Sequence, residues 1–203
     1  MHHPRGKGLT RLLLIRHGPT EWNEARRLQG QADPGLSPRG RAEVLSWRLP
    51  PDWKEACWLS SPLRRARETA ALLTAAPVAI EPRLIEMDWG AFEGRTLADL
   101  RADDPAGMAV NEARGLDFRP PGGESPREVA ERFRKLAAEL SETPGPAIAV
   151  AHKGVVRAAL ALATGWDMTT RPPLRLAGKH ALALLCHPSG RIEPAGPPLA
   201  LAE

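Results

Sequence analysis

Short apolar segments alternate along this chain with longer segments in which apolar residues recur at helical spacing. The segments at 12–15, 147–151 and 181–185 carry no charge, which is typical of strands buried on both faces of a sheet. Shorter candidate strands lie at 57–60 and 78–80, and the Pro- and Gly-rich end resembles an edge strand and a tail. The alternation predicts an α/β fold: a three-layer α/β/α sandwich with a mostly parallel central sheet, helices on both faces and right-handed crossovers.

The clearest helix predictions begin at Ser–Pro pairs, where serine caps the helix and proline fits its first turn. Such pairs at Ser37, Ser61 and Ser125 open helices that run to about residues 49, 73 and 143. Further helices are expected at 97–102 and 155–163, and the stretch from 81 to 124 is expected to be less regular. No repeat or linker divides the 203 residues, so we expect one domain over 1–203 with a flexible segment over 1–10.

The charge of the chain is mildly basic, a net +4, and its basic residues fall in short groups interleaved with acids. This pattern indicates solvated helix faces, and no nucleic-acid-binding motif accompanies it, so we expect no nucleic-acid partner. No apolar run approaches the ~20 residues that a membrane span needs, and no apolar segment near the start resembles a secretory signal. We therefore expect a cytoplasmic monomer or homodimer without membrane attachment.

Cysteine and histidine usage argues against a disulfide scaffold and against a metal site. Cys57 and Cys186 lie far apart without Cys-x-x-Cys spacing, so two buried, reduced thiols are expected. The histidines lack metal-ligand spacing, and neither a His-Glu-x-x-His motif nor a Gly-rich P-loop occurs. We expect neither a metal ion nor a cofactor.

Two of the predicted strands end in the same way, with a histidine and a nearby glycine. Residue 15 is followed by Arg16, His17 and Gly18, and residue 151 is followed by His152 and, two positions on, Gly154. Ligands of open α/β sheets bind at the carboxyl ends of strands, so both histidines are expected to face one crevice. A glycine beside each histidine lets a ligand approach the backbone.

Four segments, taken in order, carry a family resemblance. Residues 14–23 (LIRHGPTEWN) closely resemble the signature of the histidine phosphatase superfamily, the phosphoglycerate mutase-like proteins. Residues 60–69 resemble the second arginine block of that family, residues 84–94 its acid block, and residues 150–154 its second histidine block. The four blocks span most of the chain, and the chain is similar to the short phosphatase branch. That branch includes α-ribazole-phosphate, fructose-2,6-bisphosphate and broad-specificity phosphatases.

The resemblance implies a phosphatase in which His17 is the nucleophile and Arg16, Arg65 and His152 surround the phosphate. The residue types suit that chemistry. A neutral imidazole can attack phosphorus and split one hard displacement into two easier ones. Guanidinium groups match phosphate oxygens in bidentate fashion and keep their charge. Proteins catalyse phosphoryl transfer mainly by positioning the reacting groups and by stabilising the charge of the transition state.

The departing alkoxide needs a proton donor, and three carboxylates are candidates. Glu86 matches the acid position of the family, and a bound phosphate would raise its pKa by like-charge repulsion. Asp88 and Glu93 are competitors for this role. We expect Glu86 to be the general acid.

The resemblance also implies which other residues line the phosphate pocket. They are side-chain amides and backbone groups of the first block, of the segment that follows it and of the last block: Gly18, Asn23, Gln29, Gly30 and Gly154. Substrate specificity is expected in the segment 88–124, whose arginines could meet a substrate anion: Arg95, Arg101, Arg114 and Arg119.

Two other functions stay open at this point. Phosphoglycerate mutases share the same core, but residues 87–96 lack the basic and histidine residues that mutases carry after the acid. The chain could also be a catalytically idle module that binds a phosphorylated ligand, because a fold does not fix a function. The best-supported expectation is a metal-independent phosphomonoesterase acting on a small phosphorylated metabolite.

Overall fold

A computed structural model describes residues 8–174 and 179–201. The expectation of a flexible segment over 1–10 falls mainly on residues outside this range, and residue 10 already lies in a strand. Within the described residues one sheet contains seven strands: β1 (Thr10–Arg16), β2 (Cys57–Ser60), β3 (Val78–Ile80), β4 (Ala147–Ala151), β5 (His180–Cys186), β6 (Ile192–Pro194) and β7 (Leu199–Ala200). The same residues include seven α-helices: α1 (Glu21–Glu24), α2 (Pro38–Leu45), α3 (Arg64–Leu73), α4 (Leu97–Asp103), α5 (Pro105–Glu112), α6 (Pro126–Glu142) and α7 (Lys153–Thr164).

The strand order is β3-β2-β4-β1-β5-β6, and β7 also pairs with β5. Pairing is parallel from β3 through β2 and β4 to β1, whereas β5 is antiparallel to each of its neighbours. Among the described strands β5 alone therefore runs against the others. The mostly parallel sheet expected from the apolar segments is confirmed.

Alternate residues of each central strand point to opposite faces, which creates two cores. On one face, Leu12 and Leu14 of β1 pack in a cluster with residues of α6 and α7. On the other face, Leu13 and Ile15 share a cluster with residues of α2 and α3. Helices thus cover both faces of the sheet, and the predicted three-layer α/β/α sandwich is confirmed.

Two of the three Ser–Pro helix starts are confirmed, and the third prediction is wrong by two residues. Ser37 and Ser125 each accept a backbone hydrogen bond in the first turn of α2 and α6. Helix α3 instead begins at residue 64 with Leu63 as its uncapped N-cap. Ser61 lies two residues before this N-cap, and its hydroxyl accepts from the N–H of Leu63 at 3.3 Å and is hydrogen-bonded to the ring of His152.

Contacts with distant parts of the chain shift another helix boundary from its predicted position. Helix α2 ends at Leu45 rather than near residue 49, because the chain turns there to bury Trp47 and to let the N–H of Arg48 donate to the carbonyl of Leu201. Helices α1 and α5 were not predicted. In α5 the start signal is present, since Asp104 accepts from the N–H of residue 107 and proline follows it.

The cysteine prediction is half correct. Cys186 is buried in β5, whereas Cys57 is exposed, and both are free thiols. Cys57 is exposed because it opens β2, while pairing with β3 starts only at Trp58 and leaves this end of the strand uncovered. None of the described helices is long and apolar enough to cross a membrane.

Candidate active site

The ends of β1 and β4 bring the two histidines together. These strands are parallel neighbours with Arg16 opposite Ala151. The residues that follow them, His17 and His152, therefore lie side by side. The N–H of His17 donates to the carbonyl of Ala151 at 2.9 Å. The ring centroids of His17 and His152 are 5.1 Å apart, with the ring planes inclined by 57°. Both histidines therefore face the same edge of the sheet, where ligands of such sheets bind.

The hydrogen bond of His17 defines its tautomer. Its Nδ1 lies 2.7 Å from the carbonyl oxygen of Gly18. A carbonyl oxygen only accepts, so Nδ1 carries the proton, and in the neutral ring Nε2 keeps its lone pair. Burial, followed by the positive charges of Arg16 and Arg65, holds the pKa of His17 well below its usual value. His17 is thus a neutral imidazole with an unprotonated Nε2 across the physiological pH range.

Two arginines bring positive charge to this nucleophile. Arg65 is fully buried, and its terminal nitrogens donate to the carbonyls of Ala32 at 2.7 Å and Gly30 at 2.8 Å. The Nε atoms of Arg65 and Arg16 are buried and have no hydrogen-bond partner among the described residues. Burial lowers the pKa of both groups, but a guanidinium keeps its charge at any physiological pH. A phosphate bound beside His17 would supply the acceptor that these two donors lack.

His152 is fully buried beside His17 and has a partner that the sequence did not predict. Its Nε2 and the hydroxyl of Ser61 are hydrogen-bonded at 2.7 Å. Burial, followed by the nearby His17 and Arg65, holds the pKa of His152 well below its usual value. Ser61 follows β2, the parallel neighbour of β4. The strand-end rule that located the histidines would have located Ser61 as well.

Of the three candidate acids, Glu86 alone lines the cavity together with His17. Its carboxylate is buried and accepts from the backbone N–H of Met87 at 2.8 Å and of Gly154 at 3.0 Å. Burial raises the pKa of Glu86, against the effect of these hydrogen bonds and of Arg65 and Arg16. A carboxyl group with a raised pKa is suited to donate a proton.

The competing carboxylates are used elsewhere. Asp88 accepts from the N–H of Gly90 at 2.7 Å, within its own loop. Glu93 accepts from the N–H groups of Gln31 at 2.7 Å and Ala32 at 3.1 Å. Neither side chain lines the cavity, which leaves Glu86 as the candidate with access to a substrate.

The two predicted side-chain amides reach the cavity through contacts with Thr20. The Oδ1 of Asn23 accepts from the N–H of Thr20 at 3.1 Å, and the Oε1 of Gln29 accepts from its hydroxyl at 3.0 Å. Both residues line the cavity. Because the oxygen of each amide is taken by Thr20, the NH₂ group is the one that can serve a phosphate oxygen.

The three predicted glycines support site residues in the structure. The N–H of Gly18 donates to the hydroxyl of Thr69 at 3.0 Å, and the N–H of Gly154 donates to Glu86. Gly30 gives its carbonyl to Arg65. Thr69, four residues after Arg65 on α3, was not foreseen, although helical spacing places the two on one face.

The cavity is far larger than a phosphate, with a volume of about 990 Å³. Apolar side chains line part of its wall beyond the phosphate site: Leu28, Met87, Trp89, Leu97, Phe118 and Met168. Of the four arginines expected to set specificity, only Arg101 lines it, and Arg101 is paired with Glu112 at 2.7 Å. Lys153 and Arg157 of α7 also line the cavity, and neither forms a salt bridge with a described residue.

Metal-ligating side chains do not cluster in the part of the chain that the structure describes. No group of three or more His, Cys, Asp and Glu side chains there could hold an ion. The positive charges of Arg16 and Arg65 act directly on His17.

Paired histidines beside two arginines, at the strand ends of a three-layer α/β/α sandwich, define the phosphoglycerate mutase-like class. The chain belongs to the histidine phosphatase superfamily (branch 1), whose family model matches residues 12–193. It is 38% identical to a glucosyl-3-phosphoglycerate phosphatase of Mycobacterium tuberculosis over 167 residues, which cover 73% of this chain and 72% of the relative.

Solved structures agree with this assignment. The structure of a mycobacterial glucosyl-3-phosphoglycerate phosphatase complexed with VO3 superposes with a TM-score of 0.72 and 33% identity, covering 86% of this chain and 92% of that one. A putative alpha-ribazole-5'-P phosphatase from Escherichia coli has a TM-score of 0.73 and 26% identity, covering 96% of each chain. The family resemblance inferred from the four sequence blocks is confirmed.

Proposed function

We propose that this protein is a phosphomonoesterase that transfers a phosphoryl group from its substrate to His17 and then to water, without a metal ion. One observation carries the proposal: the unprotonated Nε2 of His17 lies at a site where Arg16 and Arg65 keep buried N–H donors without partners. The phosphatase relatives support the reaction class.

In the first step the arginines and the amides of Asn23 and Gln29 hold the phosphate dianion. The Nε2 of His17 attacks phosphorus, and the ester P–O bond breaks. Glu86 gives its proton to the departing oxygen, so the alcohol leaves neutral. The neighbouring His152 is neutral and carries one ring N–H, which donates to a phosphate oxygen as charge develops.

In the second step a water molecule attacks the phosphohistidine. The carboxylate of Glu86 takes a proton from the water, the P–N bond breaks, and His17 returns to its neutral form with Nδ1 still bonded to the carbonyl of Gly18. Glu86 therefore acts first as acid and then as base, and the cycle restores every proton.

Phosphate release from p-nitrophenyl phosphate and from a panel of phosphorylated metabolites tests the reaction class. We expect each ester that is consumed to yield one equivalent of inorganic phosphate. If 2- and 3-phosphoglycerate interconvert faster than phosphate appears, the protein is a mutase and the proposal is wrong.

Chelation should leave the activity unchanged. Arginines take the place that a cation occupies in metal-dependent phosphatases, so initial rates with p-nitrophenyl phosphate are expected to agree within about twofold with and without excess EDTA. Loss of activity on chelation, followed by recovery with a divalent ion, would show that a metal takes part.

We further propose that the substrate carries a second anionic group, as 3-phosphoglycerate derivatives do. Lys153 and Arg157 are one helical turn apart on α7, directly after His152. The guanidinium of Arg157 lies over the ring of Trp166, 4.7 Å from its centroid. Partial burial, followed by the charges of Arg16 and Arg157, lowers the pKa of Lys153, and a bound anion would relieve this repulsion.

A matched pair of esters tests this substrate class. 3-Phosphoglycerate has a carboxylate where glycerol 3-phosphate has a hydroxymethyl group. A charged hydrogen bond of about 1.5–3 kcal/mol predicts a roughly 10- to 150-fold preference in kcat/KM for the first. Lys153→Gln should reduce this ratio. Arg101→Gln should keep it, because Glu112 already neutralises Arg101. An equal kcat/KM for both esters in the unmodified enzyme would contradict the second anion.

We also propose that the enzyme works in the cytoplasm. Both cysteines are free thiols, and Cys57 is exposed. An exposed thiol without a disulfide suits a reducing compartment.

A further inference from the structure

The two anchors of Arg65 lie on one short loop, residues 29–32, between α1 and α2. Its terminal nitrogens donate to the carbonyls of Gly30 and Ala32. Two of the five N–H groups of the guanidinium are used in this way, and the others remain for the phosphate. The orientation of Arg65 therefore depends on how firmly this loop is held.

Glu93 holds the loop from the opposite side. Its Oε1 accepts from the N–H of Gln31 at 2.7 Å, and its Oε2 accepts from the N–H of Ala32 at 3.1 Å. Oε1 also lies 3.4 Å from the N–H of Trp89 in the loop that follows Glu86. One carboxylate thus joins the loop that anchors Arg65 to the loop that carries the candidate acid.

Glu93 packs so closely against this loop that no side chain fits at position 30. A Cβ atom at this position would lie 1.7 Å from the Oε1 of Glu93, and the φ of Gly30 is +51°. Glycine is needed there for the close approach and for the left-handed backbone. The carbonyl that Gly30 offers to Arg65 is therefore set by the position of the Glu93 carboxylate.

From these contacts we infer that Glu93 is a positioning residue that orients Arg65 for phosphate binding through residues 30–32. The inference rests on the proposed phosphatase function. Donors that are held in place before the substrate arrives stabilise the transition state without a cost of reorganisation. Removal of the carboxylate leaves the N–H of Gln31 without an acceptor among the described residues, and the N–H of Ala32 keeps only the carbonyl of Gln29 at 3.0 Å. The loop is then held less firmly, and Arg65 loses its fixed anchors.

Replacement of Glu93 by alanine should weaken phosphate recognition and leave proton transfer intact. We expect kcat/KM to fall by about 10- to 100-fold, by the same factor for p-nitrophenyl phosphate and for an alkyl phosphate, since small misplacements cost about this much. The inhibition constant of inorganic phosphate should rise. The alkaline limb of the pH profile should not move. Asp88→Asn is the matched control: it changes a carboxylate of the same segment that serves only its own loop, and activity should stay within about threefold.

A double-mutant cycle with Arg65 separates positioning from general stability. In the Arg65→Ala background, Glu93→Ala should cost less than about threefold, because the group that Glu93 positions is gone. Equal losses in both backgrounds would overturn the inference, and so would a loss confined to esters with poor leaving groups. If Glu93→Ala lowers the Tm below the assay temperature, Glu93→Gln, which keeps one acceptor oxygen, is measured in the same cycle. If the unmodified enzyme releases no phosphate from any ester, the proposed function fails instead.

Discussion

His17→Ala is expected to abolish the covalent intermediate and to lower kcat by roughly 10⁴- to 10⁶-fold, the size of effect seen when a covalent nucleophile is removed. The structure supplies the reason. Nε2 of His17 is the unprotonated nitrogen, because Nδ1 donates to the carbonyl of Gly18. Rapid quench with labelled substrate should trap an acid-labile, base-stable adduct in the unmodified protein and none in the variant.

His187→Ala provides the matched control for the trapping experiment. His187 lies after β5, outside the cavity, and its N–H pairs with the carbonyl of Arg191 in a turn. The adduct should form in this variant at the normal rate. Label that persists in His17→Ala would mean that another group accepts the phosphoryl group.

The placement of both histidines could be predicted from local sequence patterns, for a physical reason. The apolar segments define strands that are buried on both faces, and the carboxyl ends of parallel neighbours meet at one edge. The structure places His17 and His152 at this edge, with ring centroids 5.1 Å apart. The two cores, one on each face of β1, follow from the same alternation.

Contacts between loops could not be predicted in this way. Glu93 and the N–H groups of Gln31 and Ala32 are far apart in the chain, and no periodicity relates them. The sequence suggested Glu93 as a possible acid, whereas the structure shows its carboxylate occupied by backbone donors. Likewise the sequence pattern predicted Ser61 as a helix N-cap, whereas in the structure its hydroxyl is hydrogen-bonded to His152. In each case tertiary packing brings the side chain to a partner that is distant in the sequence, and the local pattern carries no sign of that partner.

The role of Glu86 leads to the second large effect. Glu86→Gln is expected to slow hydrolysis of alkyl phosphates by about 10²- to 10⁴-fold, the usual contribution of general acid catalysis. p-Nitrophenyl phosphate should lose much less, because its phenolate departs with little help from an acid. Side-by-side kcat/KM values for the two esters measure the difference, and equal losses would reject Glu86 as the proton donor.

The pH profile gives an independent readout of the same assignment. For attack on the ester, His17 must be neutral and Glu86 must be protonated. Burial lowers the pKa of His17, so the nucleophile is lost only when the pH falls below the usual range of histidine titration. Burial raises the pKa of Glu86, so the acid is lost as the pH rises through a value above that of an ordinary glutamate. For an alkyl phosphate, kcat/KM should therefore fall on both sides of an optimum that lies between the lowered pKa of His17 and the raised pKa of Glu86. Glutamine at position 86 cannot ionise, so the alkaline limb due to this group should disappear in Glu86→Gln, while the acid limb of His17 remains. An alkaline limb that persists unchanged in the variant would assign the proton to a different group.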